Sequence, residues 1–164
     1  MDETKEKIMI DIMNSAIDAF NKNERYLIEY DLSERCICAK FAHYLAIELN
    51  KGIYREYYVD VEYNRTIRRN IKSLEKKNIV VDLIVHKRGI DDNLLCIEMK
   101  KCCARQDCIK KDEDRLKKLT SIQYSYMYGL GIMILIKRDG KNNVYKLLID
   151  KIFKNGNEVT EECN

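Results

Sequence analysis

The stretch Ile79-Val80-Val81-Asp82-Leu83-Ile84-Val85-His86-Lys87-Arg88-Gly89-Ile90-Asp91-Asp92-Asn93-Leu94-Leu95-Cys96-Ile97-Glu98-Met99-Lys100 says most about the fold. Residues 79–86 are a nearly continuous β-branched run holding one acid, and residues 94–100 are a second apolar run. Gly89 and the Asp/Asn residues make the link a turn, so the two runs predict an antiparallel hairpin. Glu98 and Lys100 interrupt the second run at i and i+2, and the pleat points both to one face. The hairpin brings a third charge, Asp82, beside them.

Charges at the end of a core strand are costly unless they pair or coordinate a cation. Asp82, Glu98 and the main-chain carbonyl of Met99 are oxygen ligands suited to Mg²⁺, with Lys100 beside a bound water. The competing reading is an ion-pair network at a strand end, or Glu98 and Lys100 turned to solvent. Spacing by itself favours that second reading.

Outward from the hairpin, Ile8, Ile12, Ala16 and Phe20 predict an amphipathic helix over residues 6–22. Ser33 caps a second helix with Ile37, Phe41 and Leu45 on one stripe, ending near Asn50-Lys51-Gly52. Alternation through Tyr57, Val59, Val61 and Tyr63 makes residues 53–63 a first strand. Leu116, Leu119, Ile122 or Gln123, and Tyr126 predict a third helix over residues 110–128, stopped by Gly129. Residues 130–136 and 144–149 read as the last two strands, before a polar tail from Asn155.

At 164 residues the chain fits a single domain, 1–164, and its 46% hydrophobic and 35% charged residues, with no proline, favour a folded protein over disorder. A charged start and the lack of a membrane-length apolar run predict a cytoplasmic protein without a membrane partner. Seven cysteines are then expected as reduced thiols. The net charge of +3 does not argue nucleic-acid binding, because 30 basic and 27 acidic residues nearly cancel. Local clustering does occur: Arg65, Arg68, Arg69, Lys72, Lys76 and Lys77 face one acid, Glu75, either as a phosphate-contacting surface or as a solvated face.

Asp82, fifteen residues and then Glu98-Met99-Lys100 resemble the PD-(D/E)xK motif of the restriction-endonuclease-like nuclease superfamily, with Val81 where the motif has proline. The resemblance implies an α/β fold with an αβββαβ core, supplied in order by residues 33–136. Its mixed central sheet would be flanked by helices, with an extra N-terminal helix and a C-terminal strand. It implies Asp82 and Glu98 as ligands of one or two Mg²⁺ or Mn²⁺ ions and Lys100 as the cation that orients or helps deprotonate water. Members also carry an acid on the helix before the first strand. Glu34 suits that third ligand role, and equally suits a first-turn acid favourable to the helix dipole.

A closer similarity is to small bacterial and phage-borne members, in the pattern Glu34, His43, Glu62-Tyr63-Asn64, Asp82, His86-Lys87-Arg88-Gly89, Asn93, Glu98 and Lys100. Glu62 and Asn64 would bind metal, substrate or a neighbouring arginine, or serve structure alone. His86 shares the face of Asp82 and would contact phosphate, polarise water or hydrogen-bond the turn. Arg88 and Lys101 would hold flanking phosphates. Asp112 would pair with Lys100 or Lys101, or act as a helix N-terminal acid. Gln123-Tyr124, and Cys102, Cys103 and Cys108, compare only loosely with the exonuclease branch and its iron–sulfur cysteines.

The implied activity is metal-dependent hydrolysis of phosphodiester bonds, in DNA first. The alternative is a non-catalytic nucleic-acid- or protein-binding module retaining the fold. So short a chain leaves little room for a sequence-reading domain, which a homodimer or a separate targeting subunit would supply.

Overall fold

The computed structural model describes residues 1–66 and 70–159. Arg68 and Arg69 of the basic cluster lie outside the described residues, as does the end of the tail. Three helices come first: α1 (Glu3–Asn23), the short α2 (Arg25–Glu29) and α3 (Glu34–Asn50). Asp2 accepts the Lys5 N–H at 2.8 Å and starts α1, and Ser33 accepts the Cys36 N–H at 3.2 Å and starts α3. Strands β1 (Tyr58–Val61), β2 (Ser73–Leu74), β3 (Lys77–Asn78), β4 (Leu83–Lys87) and β5 (Asp92–Lys101) follow. Helix α4 (Gln106–Thr120) then leads to β6 (Leu130–Asp139), β7 (Val144–Lys154) and β8 (Asn157–Val159).

Six strands form one mixed sheet in the order β1-β4-β5-β6-β7-β8. β4 and β5 are the expected antiparallel hairpin, β5 and β6 run parallel, and α4 makes the crossover that a parallel pair requires. Helices cover both faces. Met9, Met13 and Phe20 of α1 and Ile37, Phe41 and Leu45 of α3 pack with Leu83, Leu95, Ile97, Met99 and Ile134 on one side. Leu116 and Leu119 of α4 pack with Ile84, Cys96, Met133 and Phe153 on the other. Burial on both faces explains why β5 and β6 are written as nearly unbroken apolar runs. It also fixes which way β5 points: Ile97 and Met99 face α1 and α3, and Cys96 and Glu98 face α4.

Several boundaries differ from those expected. The strand expected over residues 53–63 is confined to Tyr58–Val61, and the run from Ile79 becomes strand only at Leu83. The third helix stops at Thr120 rather than at Gly129, because Ser121 takes an extended backbone (φ −73°, ψ 140°). The tyrosines beyond it serve elsewhere. Tyr126 accepts the Ser73 N–H at 2.8 Å and donates to the Ser73 carbonyl at 3.0 Å, while the Tyr128 N–H returns to the Leu119 carbonyl at 3.0 Å. Tyr126 continues the helical spacing of Leu116, Leu119 and Ile122, yet it clamps a hairpin.

That hairpin, β2–β3, occupies part of the basic segment, where Glu75 and Lys76 turn with positive φ at both central positions, as a type I′ turn needs. The last strand runs beyond Ile149 to Lys154, and the expected polar tail instead turns at Asn155-Gly156 (φ 52° and 84°) into β8. No helix among the described residues is long and apolar enough to cross a membrane.

Candidate functional site

β4 begins at Leu83, paired with Ile97, so β5 continues past the point where its neighbour starts. The N–H groups of Met99 and Lys101 point to that open edge, and carboxylates satisfy them. Asp82, immediately before β4, accepts from Met99 N at 2.8 Å, and Glu34, in the first turn of α3, accepts from Lys101 N at 3.0 Å. A strand residue directs its N–H and C=O to the same edge, so the Met99 carbonyl faces the same opening. The backbone of Asp82 is itself held, its carbonyl accepting the Glu62 N–H at 3.0 Å and the Cys38 thiol at 3.4 Å.

On the α4 face, Glu98 is 1% exposed and bonded to Arg115. Arg115 also lies 3.1 Å from Asp112 Oδ1. Lys100 Nζ lies 3.2 Å from Asp112 Oδ2 and 3.3 Å from Glu34 Oε2. Asp112 Oδ2 is buried and, despite that approach, makes no aligned hydrogen bond. The cluster therefore joins Glu34, Asp82, Glu98 and Asp112 with Lys100 and Arg115, two more acids than cations.

The electrostatics follow. Burial pushes the Glu98 carboxyl well above its usual range, Asp82 and Asp112 add to the shift, and Arg115 opposes it. Asp82 is also raised by burial, against the pull of the Met99 N–H and Lys100. Burial by itself would lower Lys100, but Asp112, Glu34 and Asp82 overcome it and hold the ammonium above its ordinary pKa. A partly buried excess of negative charge is the setting in which a divalent cation is most favourable. The donors are hard oxygens, matched to Mg²⁺ or Mn²⁺. As the side chains stand, Glu98 is turned to Arg115, Glu34 lies across Lys100, and among the described residues no three acids, cysteines or histidines converge as a ready-made metal cage.

The structure thus brings together Asp82, Glu98, Lys100 and Glu34, and it pairs Asp112 with Lys100 rather than with Lys101. The other candidates are engaged elsewhere. His86 Nε2 is 2.9 Å from Asp60 Oδ2, its ring is packed on Tyr63, and Arg88 reaches the same carboxylate at 3.0 Å. A bulge between Val85 and His86 shifts the register at this end of the hairpin. Lys101 Nζ pairs with Asp31 at 2.7 Å, Glu62 pairs with Arg35 at 2.8 Å, and Asn64 offers its backbone carbonyl to Lys72 N at 2.7 Å. Exposed His43 meets Tyr44 edge-on, and Gln123 and Tyr124 lie past the end of α4. Cys36, Cys38, Cys96, Cys102, Cys103 and Cys108 are free thiols.

Arg115 is the residue that sequence reasoning missed. Its signal was its place three after Asp112 and one before Leu116, which sets a cation at the margin of the buried stripe of α4. No family model, no curated protein and no solved structure matches the chain.

Proposed function

We propose that this protein is a metal-dependent nuclease hydrolysing phosphodiester bonds in DNA, built on a restriction-endonuclease-like core in which α3, β1, β4, β5, α4 and β6 are the αβββαβ elements. One observation carries the reading. Asp82 and Glu98, from adjacent segments of one hairpin, sit with Lys100 in a cluster that holds two more acids than cations.

Asp82 and Glu98 would hold the cation, with Glu34 as the third acid across Lys100. When bound, a divalent cation supplies positive charge beside the scissile phosphate and makes nearby water more acidic. Lys100, flanked by the carboxylates of Asp112 and Glu34, acts as an ammonium: it orients water and neutralises charge developing on the phosphoryl oxygens. Arg115 holds Glu98 in place and occupies the charge of a carboxylate that would otherwise be buried alone. Arg88, in the turn after β4, and Lys101, at the end of β5, are the proposed contacts to flanking phosphates, with His86, Glu62 and Asn64. A homodimer or a targeting subunit would add sequence selectivity.

The test is Mg²⁺-dependent cleavage of plasmid and linear DNA by the wild type, Asp82→Ala and Lys100→Ala. Loss in both variants supports the assignment, and equal activity of all three sinks it. A second reading, a non-catalytic nucleic-acid- or protein-binding module, is favoured by one feature: each acid already has a structural partner, Asp82 and Glu34 on strand N–H groups and Glu98 on Arg115. Calorimetry with Mn²⁺ separates the two, since the module predicts no binding and the nuclease predicts binding lost in Asp82→Ala.

A further inference from the structure

Lys72 is 4% exposed, and among the described residues no carboxylate pairs with its ammonium. Its Nζ donates to the Tyr128 hydroxyl at 2.6 Å and lies 5.2–5.8 Å from the ring centroids of Tyr63, Tyr126 and Tyr128. Main-chain bonds hold the residue in place: Lys72 N donates to the Asn64 carbonyl at 2.7 Å, and the Ile79 N–H donates to the Lys72 carbonyl at 2.9 Å. An ammonium carries three donors, and Tyr128 takes one. Burial pushes its pKa down to about 8, against the weak support of Cys96, Asp91 and Asp60. A buried cation without an anion is an expensive feature in a protein interior, and tyrosine faces only partly offset it.

Lys72 lines a cavity of about 720 Å³ open to solvent, together with Arg65, His86, Lys87, Tyr63 and Tyr126. Among the described residues Asp91 is its one lining acid, and Lys87 leans away toward Glu56 and Asp92 at 3.2 and 3.7 Å. The volume exceeds what one phosphate fills and matches pockets that hold larger organic ligands. Cationic walls and aromatic rings in one groove are the two elements that grip a single strand: charge on the phosphate, stacking on the base.

We propose that this cavity binds a phosphate of a single-stranded nucleic acid, with Lys72 as its counter-charge and Tyr63 and Tyr126 as surfaces for the adjoining base. The proposal rests on the nuclease reading only in taking that strand as substrate. The acidic cluster and the cavity both lie on the α4 side of the β4–β5 hairpin, with Cys96 between Glu98 and the end that Asn93 lines.

The experiment is fluorescence anisotropy of fluorescein-labelled oligothymidylate in EDTA, across a series of salt concentrations, with wild type, Lys72→Met and Lys72→Arg. The methionine variant keeps the stem and removes a buried charge, so it should melt at or above the wild type. It is expected to bind about tenfold more weakly, with a salt slope smaller by about one, while arginine restores both. Thymidine monophosphate should displace the oligomer at lower concentration than inorganic phosphate. Equal competition overturns the stacking role of the tyrosines. Wild-type affinity and slope in Lys72→Met, or no oligomer binding by the wild type, overturns the site. A wild type that binds through Lys72 but cleaves nothing with Mg²⁺ sinks the nuclease reading alone, and cleavage with unchanged KM in Lys72→Met sinks this one alone.

Discussion

Glu98 and Lys72 are buried charges on one side of the same hairpin, and the molecule treats them in opposite ways. Glu98, 1% exposed, has a guanidinium against it and further acids around it, so its surroundings still carry excess negative charge. Lys72, 4% exposed, has phenols and aromatic rings but no carboxylate partner among the described residues. The first region favours a cation and the second an anion. A phosphodiester substrate with a divalent metal offers both.

The largest way to break this contrast is at the acids. Asp82→Ala is expected to lower Mg²⁺-dependent cleavage by about 10²–10³-fold, measured in single-turnover assays on linear DNA. A tenfold or smaller loss would leave Asp82 with only its bond to the Met99 N–H. Next is the ion pair. Arg115→Met strands the Glu98 carboxylate and should cost about 3 kcal/mol in urea melts, with much of the loss recovered in Arg115→Met/Glu98→Gln. Added Mn²⁺ should raise the melting temperature of Arg115→Met more than that of the wild type, because the cation takes over part of the role of the guanidinium.

Lys72→Met should do the reverse and raise stability by about 1 kcal/mol at neutral pH. Its pH dependence has a definite sign. With Lys72 titrating at about 8 in the folded chain and near 10.5 unfolded, the unfolded state binds more protons between those values. The Lys72 penalty is therefore full below about pH 8 and fades as pH rises toward 10.5. The advantage of Lys72→Met over wild type should shrink across that window, and a constant difference would mean that the charge of Lys72 is not what destabilises. The smallest effect is at the clamp. Tyr126→Phe removes the hydroxyl bonded to both backbone groups of Ser73 and should cost about 1 kcal/mol, with faster hydrogen exchange confined to β2–β3.

The hairpin, the shared face of Glu98 and Lys100, and the approach of Asp82 were legible because strand periodicity is local and strict. Ser33 announced α3 and so placed Glu34 in its first turn, though only the fold shows that Glu34 meets Lys100 and Lys101 N. Other features were illegible for specific reasons. Tyr126 kept helical spacing from Leu116, Leu119 and Ile122, and nothing nearby in the chain revealed that Ser73 would claim its hydroxyl. His86 shared a face with Asp82, but Asp60, twenty-six residues earlier, holds its ring. Arg115 carried no legible role because its partner Glu98 arrives from another element.

The sequence by itself determined the α/β alternation, the buried hairpin and the presence of two acids and a lysine on one pleated face, since these follow from side-chain periodicity along a few consecutive residues. Tertiary structure decided which charges meet. It began β4 only at Leu83, one residue after Asp82, leaving the Met99 and Lys101 N–H groups for carboxylates to cap. It also laid α4 over Glu98 and set Lys72, just before β2, among Tyr63, Tyr126 and Tyr128. A charge is costly or useful only according to what is packed against it, and that depends on residues far apart in the chain.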